Sequence, residues 1–344
     1  MSKMLPEMPL MKLQCHLVAR ETVSLPAFTG NILRSAFGEA LRLLCCADGQ
    51  AKCGKCILEP DCLYAQIFET SKAHVSAGRY QLDRYPQPFV LEPPVGGSAT
   101  LQRGEGFSCG ILLMGNGTRY WRYIIDAFRK FENVGLGRPR RRFALKKVTD
   151  MFGSDESVIY NSESKQLLGI PEIRSLTDIA GIAGRCKHMT LNFITPMRTR
   201  KEGRLVEKPD FTIITQAQLR RLELLYQAHA GNGRIRGYQH SDEENKEYFE
   251  PQESYHLLSK KELQQLLTVA NTQVSTELVE FRPWIDTERY SVRQQCTMRL
   301  DGFTGKISFS GQLNELLPYF RAGELVHVGK QCSFGHGWYR ITLG

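Results

Sequence analysis

No stretch of this 344-residue chain approaches the ~18 consecutive apolar residues of a membrane-crossing helix, so no span is expected. The opening, MSKMLPEMPLMKLQCHLVAR, places Glu7 and prolines where a secretory signal peptide needs an apolar core. A cytoplasmic protein is therefore expected. That expectation argues against a disulfide framework for the ten cysteines, because the cytosol keeps thiols reduced. A Walker phosphate loop is missing as well. It needs G-x-x-x-x-G-K-[ST] between a strand and a helix. Here Gly329-Lys330 is followed by Gln331, the nearest earlier glycine, Gly323, sits one residue too far away, and no helix follows.

What is present begins with an ordinary globular composition, 42% hydrophobic, enough for one large core or two medium ones. The formal net charge of +9 suits a polyanionic partner if the positive charge is clustered.

The hydrophobic pattern is written twice. KLQCHLVAR (12–20) alternates as a half-buried strand. FTGNILRSAFGEALRLL then puts Ile32, Leu33, Phe37, Ala40, Leu41 and Leu44 at helical spacing, with Thr29 or Asn31 available as a cap. A cysteine-bearing insertion, the strands QPFVLEP and FSCGILLMG, the helix RYWRYIIDAFRKFEN and the glycine turn and basic strand VGLGRPRRRFALKKV follow. The second half repeats the plan: strand HMTLNFITP, helix TQAQLRRLELLYQAHA, a polar acidic loop, helix SKKELQQLLTVANTQV, strands RYSVRQQCTMRL and GKISFSG, helix QLNELLPYFRAG, a glycine turn and the strand WYRITL. Strand, helix, strand, strand, helix, strand is the split βαβ, or ferredoxin-like, arrangement. The expected fold is therefore α+β, with tandem ferredoxin-like (RRM-like) domains over 1–155 and 156–344, and a cysteine-rich insertion at about 45–62.

Each half runs from its second helix through a glycine turn into its last strand. In the second, Gly329, Gly335 and Gly337 frame Lys330, Ser333 and His336, and the loop's N–H groups, Lys330 and Ser333 can face a phosphodiester chain. Phe334, Trp338 and Tyr339 either stack on a base or pack inward. In the first, Arg138, Arg140, Arg141 and Arg142 follow Gly135 and Gly137, and the guanidinium fork suits phosphate oxygens. In isolation a charge run is usually a solvated face. Two such turns at equivalent points of a duplicated plan point instead to a shared nucleic-acid groove, with RNA favoured by analogy with other ferredoxin-like sheets.

HVGKQCSFGHGWYRI, RYSVRQQ, LDGFTGKISFSG, LNFITPMRTR, NVGLGRPRRRFAL and the early GNILRSAFGEALRLLCCADGQAKCGKCILEPDCLYAQIFE together resemble, over nearly the whole chain, the CRISPR-associated endoribonucleases of the RAMP superfamily that process precursor crRNA. The resemblance implies tandem ferredoxin-like domains, a glycine-rich loop that contributes to RNA binding, and metal-independent cutting of CRISPR repeat RNA. The cut is made by a ribose 2′-OH on the adjacent phosphate, leaving 2′,3′-cyclic phosphate and 5′-OH ends. A non-catalytic RAMP subunit that holds crRNA in an effector complex is the alternative.

Such chemistry needs a base, an acid and a cation, and histidine serves the first two roles best. Of the eight histidines, His16 and His229 read as structural, His188 opens a strand, and His240 and His256 sit in or beside the polar loop. His327 alternates with Val326 and Val328 as a strand residue would. His74 and His336 are the catalytic candidates, with Arg34, Tyr290 and Lys330 as groups that stabilise charge or orient the phosphate. CCADGQAKCGKCILEPDC supplies a C-x2-C pair, Cys53 and Cys56, with Cys62 and one of Cys45 or Cys46 completing four thiolates around a structural zinc. An iron–sulfur cluster is the alternative metal. The resemblance favours Cys46 over Cys45. Cys15, Cys109, Cys186, Cys296 and Cys332 read as isolated buried cysteines.

Overall fold

The computed structural model describes residues 5, 7–47, 53–70, 84–153, 157–181, 184–201, 203–230, 257–284, 289–291, 296–298 and 302–344. They fall into two units. One lies within Pro6–Leu176 and Glu223–Leu257, the other within Met1–Leu5, Thr177–Leu222 and Leu258–Gly344. Beyond the expected boundary at 155/156, short strands up to Ser175 add to the first sheet. Among the described residues no helix is long and apolar enough to cross a membrane.

In the N-terminal unit the sheet comprises β1 (Pro9–Ala19), β2 (Phe89–Glu92), β3 (Gly106–Met114), β4 (Phe143–Asp150), β5 (Val158–Asn161), β6 (Gln166–Leu167) and β7 (Arg174–Ser175). The spatial order is β2-β3-β1-β4-β5-β6, with β7 pairing onto β1. The first four strands are antiparallel neighbours, with Phe89 opposite Leu113, Cys15 opposite Cys109 and Leu17 opposite Leu145. Together with helices α1 (Gly30–Cys45) and α2 (Trp121–Arg129) they complete the ferredoxin-like plan; the short α3 (Phe131–Val134) follows α2.

α1 buries Leu33, Ala36, Phe37, Ala40 and Leu41, the i, i+3, i+4, i+7, i+8 stripe of a helix with one apolar face. Ile32 and Leu44 only border that core. Thr29 occupies the cap position but makes no side-chain cap bond. Phe37 is the hub: its ring stacks on Phe128 of α2 at 5.6 Å and meets Phe89 of β2 edge-on at 5.2 Å.

The C-terminal unit repeats the topology with β8 (His188–Met197), β9 (Val274–Trp284), β10 (Gly302–Gly311) and β11 (Tyr339–Leu343), in the order β9-β10-β8-β11, all antiparallel. Its helices are α4 (Phe211–His229), of which residues up to Leu222 count with this unit, α5 (Lys260–Thr272) and α6 (Leu317–Val326). Phe211 of α4 stacks on Phe320 of α6 at 5.2 Å and touches Phe309 of β10 at 4.6 Å. Ser259 and Glu262 close a reciprocal capping box on α5.

One element differs from expectation. The second strand of this sheet is VSTELVEFRPW (274–284), and the RYSVRQQCTMRL segment expected there contributes only a small separate pair, Arg289–Ser291 with Cys296–Met298. VSTELVEF breaks its alternation at the bulge between Leu278 and Glu280, where Leu278 and Val279 are both exposed. The period-2 signal is lost there.

Replacing Phe37 with Ala removes ring contacts in a fully buried site and is expected to cost about 3–5 kcal/mol. This would be read as a lowered denaturant midpoint; a shift no larger than that of an exposed substitution such as Leu43→Ala would show that α1 is not the keystone of its core.

Candidate nucleic-acid interface

α6 ends at Val326, and the chain reverses at His327, whose φ is 62°. From there to β11 the backbone enters the left-handed region at Gly329, Gln331, Gly335 and Gly337. The resulting loop is stitched, bond by bond, to the end of β8. Lys330 N–H donates to the Arg198 carbonyl at 2.7 Å and Gly337 N–H to the Pro196 carbonyl at 2.8 Å. The Thr195 hydroxyl donates to the Gly335 carbonyl at 2.6 Å and accepts from Trp338 N–H at 3.0 Å. Two glycines are dictated by this closeness. A Cβ at Gly337 would collide with the Val328 carbonyl, and one at Gly329 with the Arg198 carbonyl.

Behind the loop lies a polar core. The Arg221 guanidinium, buried on α4, donates from Nε to the Val326 carbonyl at 2.7 Å, where the α6 dipole presents its negative end. Burial holds Arg221 below the usual guanidinium range. The His327 ring lies parallel to Trp338 with centroids 5.9 Å apart. Its Nδ1 faces the His336 carbonyl at 3.2 Å, an acceptor, so Nδ1 carries the proton.

In front of the loop several cations stand close together. Lys330 and Arg200 are exposed, as is Arg220, and Arg198 is half-buried. Desolvation and the charges of Arg220 and Arg200 hold the Lys330 ammonium below the ordinary lysine range. Desolvation and Arg200 do the same to Arg198. Adjacent helix residues point about 100° apart, so Arg220 joins this face while Arg221 points into the core. Four cations, two from the segment after β8, one from α4 and one from the loop, are therefore gathered where backbone N–H groups and a half-exposed aromatic, Phe334, also lie.

Residues 191–339 match the family model of the CRISPR-associated endoribonuclease Cas6, and residues 8–171 match a model described as an N-terminal domain. The C-terminal part of the chain thus carries a domain of the Cas6 family. Its fold is also that of a Cas6 product complex, at TM-score 0.52 and 14% identity over 99% of this chain and 100% of that one. Thermus thermophilus Cas6 gives 0.51 and 15% over 98% and 99%. An uncharacterized protein of Archaeoglobus fulgidus is 24% identical over 319 residues, 92% of each chain.

In this chain the residues expected to meet RNA do not all reach solvent. Lys330 is exposed and Gly329 half-exposed, but Ser333, Gly335 and Gly337 are buried and support the loop from within. His336 is 0% exposed, where a proton-transfer group was expected at the surface of the loop. Its position inside a glycine turn gives no sequence signal of burial, since the closeness of residues 195–198 is a tertiary fact. Trp338 packs inward, with His327 against it and Arg340 5.5 Å over its ring.

In the arginine turn of the N-terminal unit two arginines are already paired. It does form, with Gly135 and Gly137 at positive φ and Leu136 bridged to Arg141. However, Arg140 pairs with Glu39 at 2.7 Å and Arg141 with Glu21 at 2.6 Å. The Arg141 hydrogen bond, helped by Arg142 N–H, holds the Glu21 carboxyl below its usual range. Two of the four cations thus already have carboxylates, leaving Arg138 and Arg142 exposed. Arg34 lies on α1 with its guanidinium 4.6 Å over the Phe68 ring, a packing role. Tyr290 lies in the strand Arg289–Ser291 opposite Thr297, and its side chain is outside the described residues, as are His74, His240 and His256. His16, His188 and His229 are engaged with Ser108, Ser310 and the Pro86 carbonyl.

Arg198, Arg200 and Arg220 were not singled out from sequence. The RTR after strand HMTLNFITP and the RR in the next helix were the available signals, but only the fold joins them to Lys330. The Lys330 proton is bound more tightly by the unfolded chain than by the folded one. Stability therefore rises as pH climbs from the depressed value toward ~10.4. Lys330→Gln is expected to raise the melting temperature of the RNA-free protein, weaken RNA binding, and lessen the slope of log K against log salt by about one. A lower melting temperature with unchanged RNA affinity would contradict this. Gly337→Ala should weaken RNA binding together with stability, as measured by the same two titrations.

Proposed function

We propose that this Cas6-family protein binds CRISPR repeat RNA within precursor crRNA and cuts it by attack of a ribose 2′-OH on the adjacent phosphate. The products are a 2′,3′-cyclic phosphate and a 5′-OH, and no metal ion takes part in the chemistry. The observation that carries the reading is the convergence of Arg198, Arg200, Arg220 and Lys330 on the glycine loop. A phosphodiester supplies an anion to such a cluster at every nucleotide.

The same cluster suits the reaction. In-line attack builds negative charge on the non-bridging oxygens, and preorganised cations favour that state over the ground state. Backbone fixed by residues 195–198 keeps Lys330 from having to reorganise as charge develops. Proton transfer is assigned to His74, the catalytic histidine candidate that remains once His336 is placed in the core. Arg138 and Arg142 supply further phosphate contacts, and Arg140 and Arg141 join them only by exchanging their carboxylates, which exposed pairs do readily.

Labelled repeat RNA incubated with the protein in EDTA should be cut once per repeat, and a deoxyribose at the cut position should abolish cutting while leaving binding intact. Cutting that survives the deoxy substitution would remove 2′-OH attack, and cutting lost in EDTA would remove the metal-free chemistry. Binding without cutting would select the crRNA-holding subunit instead. His74→Ala is expected to slow cleavage by about 10²–10⁴-fold at unchanged affinity, measured under single-turnover conditions.

A further inference from the structure

Large apolar side chains left in water are ordinary when they are scattered. Those of this chain are gathered. Of the thirteen described ones that are exposed, Leu167, Leu168, Ile170 and Ile173 fall within seven consecutive residues, and Ile170 is 75% exposed. Met151 joins them, because Glu172 N–H of the same segment donates to the carboxylate of Asp150, the residue before it. Two others, Ile57 and Leu58, lie in the cysteine insertion, where among the described residues no three of Cys46, Cys53, Cys56 and Cys62 stand together as metal ligands would.

The gathered segment is held in place, so its apolar face is preformed. Leu168 N–H donates to the Ile159 carbonyl of β5 at 2.8 Å, and Arg174 pairs with Leu10 of β1. Asp150 and Pro171 between these points are buried. β6 is the last strand of its sheet, which puts the face at a sheet edge. Five side chains, each about half exposed or more, present on the order of 500 Å² of apolar surface, a size at which a patch on a monomer is often functional. A standard interface buries ~800 Å² on each partner, about 65% of it apolar in homodimers. The patch matches the apolar share of one such face.

The surrounding charges indicate the partner. Residues 166–171, QLLGIP, carry none. The rim shows one order of sign on both sides, Glu163 then Lys165 before the patch and Glu172 then Arg174 after it. A two-fold axis through the patch runs the segment antiparallel to its copy. Glu163 of one copy then meets Arg174 of the other, and Lys165 meets Glu172. Such self-complementarity is what a two-fold contact requires. Glu172 and Arg174 are paired within the chain at 2.7 Å, and exposed pairs exchange partners at little cost.

We propose that this face joins two copies of the chain in a symmetric dimer, with Leu167, Leu168, Ile170 and Ile173 buried at its centre and Met151 at its border. Neither RNA nor cleavage is involved, so failure of the dimer leaves the proposed function untouched.

Sedimentation equilibrium of the full-length, RNA-free protein at up to about 100 μM should give twice the chain mass, with a dissociation constant in the micromolar range or tighter. Ile170→Asp should raise that constant by roughly 30-fold or more and keep a cooperative thermal transition, while Ile57→Asp leaves the constant unchanged. Lys165→Glu should weaken the dimer, and Lys165→Glu with Glu172→Lys in the same chain should restore it, a rescue that an unrelated partner would not give. A monomer throughout, an assembly of more than two copies, a dimer indifferent to Ile170→Asp, or a double variant without rescue would overturn the assignment.

Discussion

The C-terminal unit depends on a short run of hydrogen bonds between its glycine loop and residues 195–198. Lys330 N–H on the Arg198 carbonyl and Gly337 N–H on the Pro196 carbonyl fix a segment that has almost no regular structure of its own. Loops are usually where backbone is loosely held. Here the backbone comes so near its neighbour that side chains are excluded at Gly329 and Gly337, and the polar groups that remain are satisfied by the end of β8. A rigid platform results, on which one lysine is carried outward.

That rigidity has an electrostatic consequence. A flexible surface would let Arg198, Arg200, Arg220 and Lys330 separate and hydrate. Held in place, Lys330 and Arg198 lie below their ordinary pKa ranges, chiefly through partial desolvation and secondarily through the neighbouring cations. Arg221 works in the opposite sense. It is buried, and its bond to the last carbonyl of α6 sets the point from which the loop departs. Two consecutive arginines on one helix thus serve different ends, one meeting solvent and one holding the scaffold.

The N-terminal unit solves a different problem with similar residues. Its glycine turn also presents arginines, yet Glu21 and Glu39 already take two of them. Those pairs are exposed and exchangeable, so the turn is closer to charge balance than the C-terminal loop. Its cysteine insertion depends on neither core burial nor sheet pairing.

The alternation of β1 and β8 and the apolar stripe of α1 are local patterns, so the tandem ferredoxin-like plan and the positions of both glycine turns were legible in the sequence. The bulge at Leu278–Glu280 erased the alternation that would have marked β9. The site was only half legible. Lys330 could be named because it sits beside its glycines, but Arg198, Arg200 and Arg220 lie more than a hundred residues away and join it only through the sheet order. Burial was decided entirely by the fold: His336, Ser333 and Gly335 look from sequence like groups open to a ligand, and it is the approach of residues 195–198 that turns them inward. Sequence determines which groups a loop contains, because side-chain chemistry is local; which of them meet solvent depends on backbone contacts between distant segments, and those exist only once the chain has closed on itself.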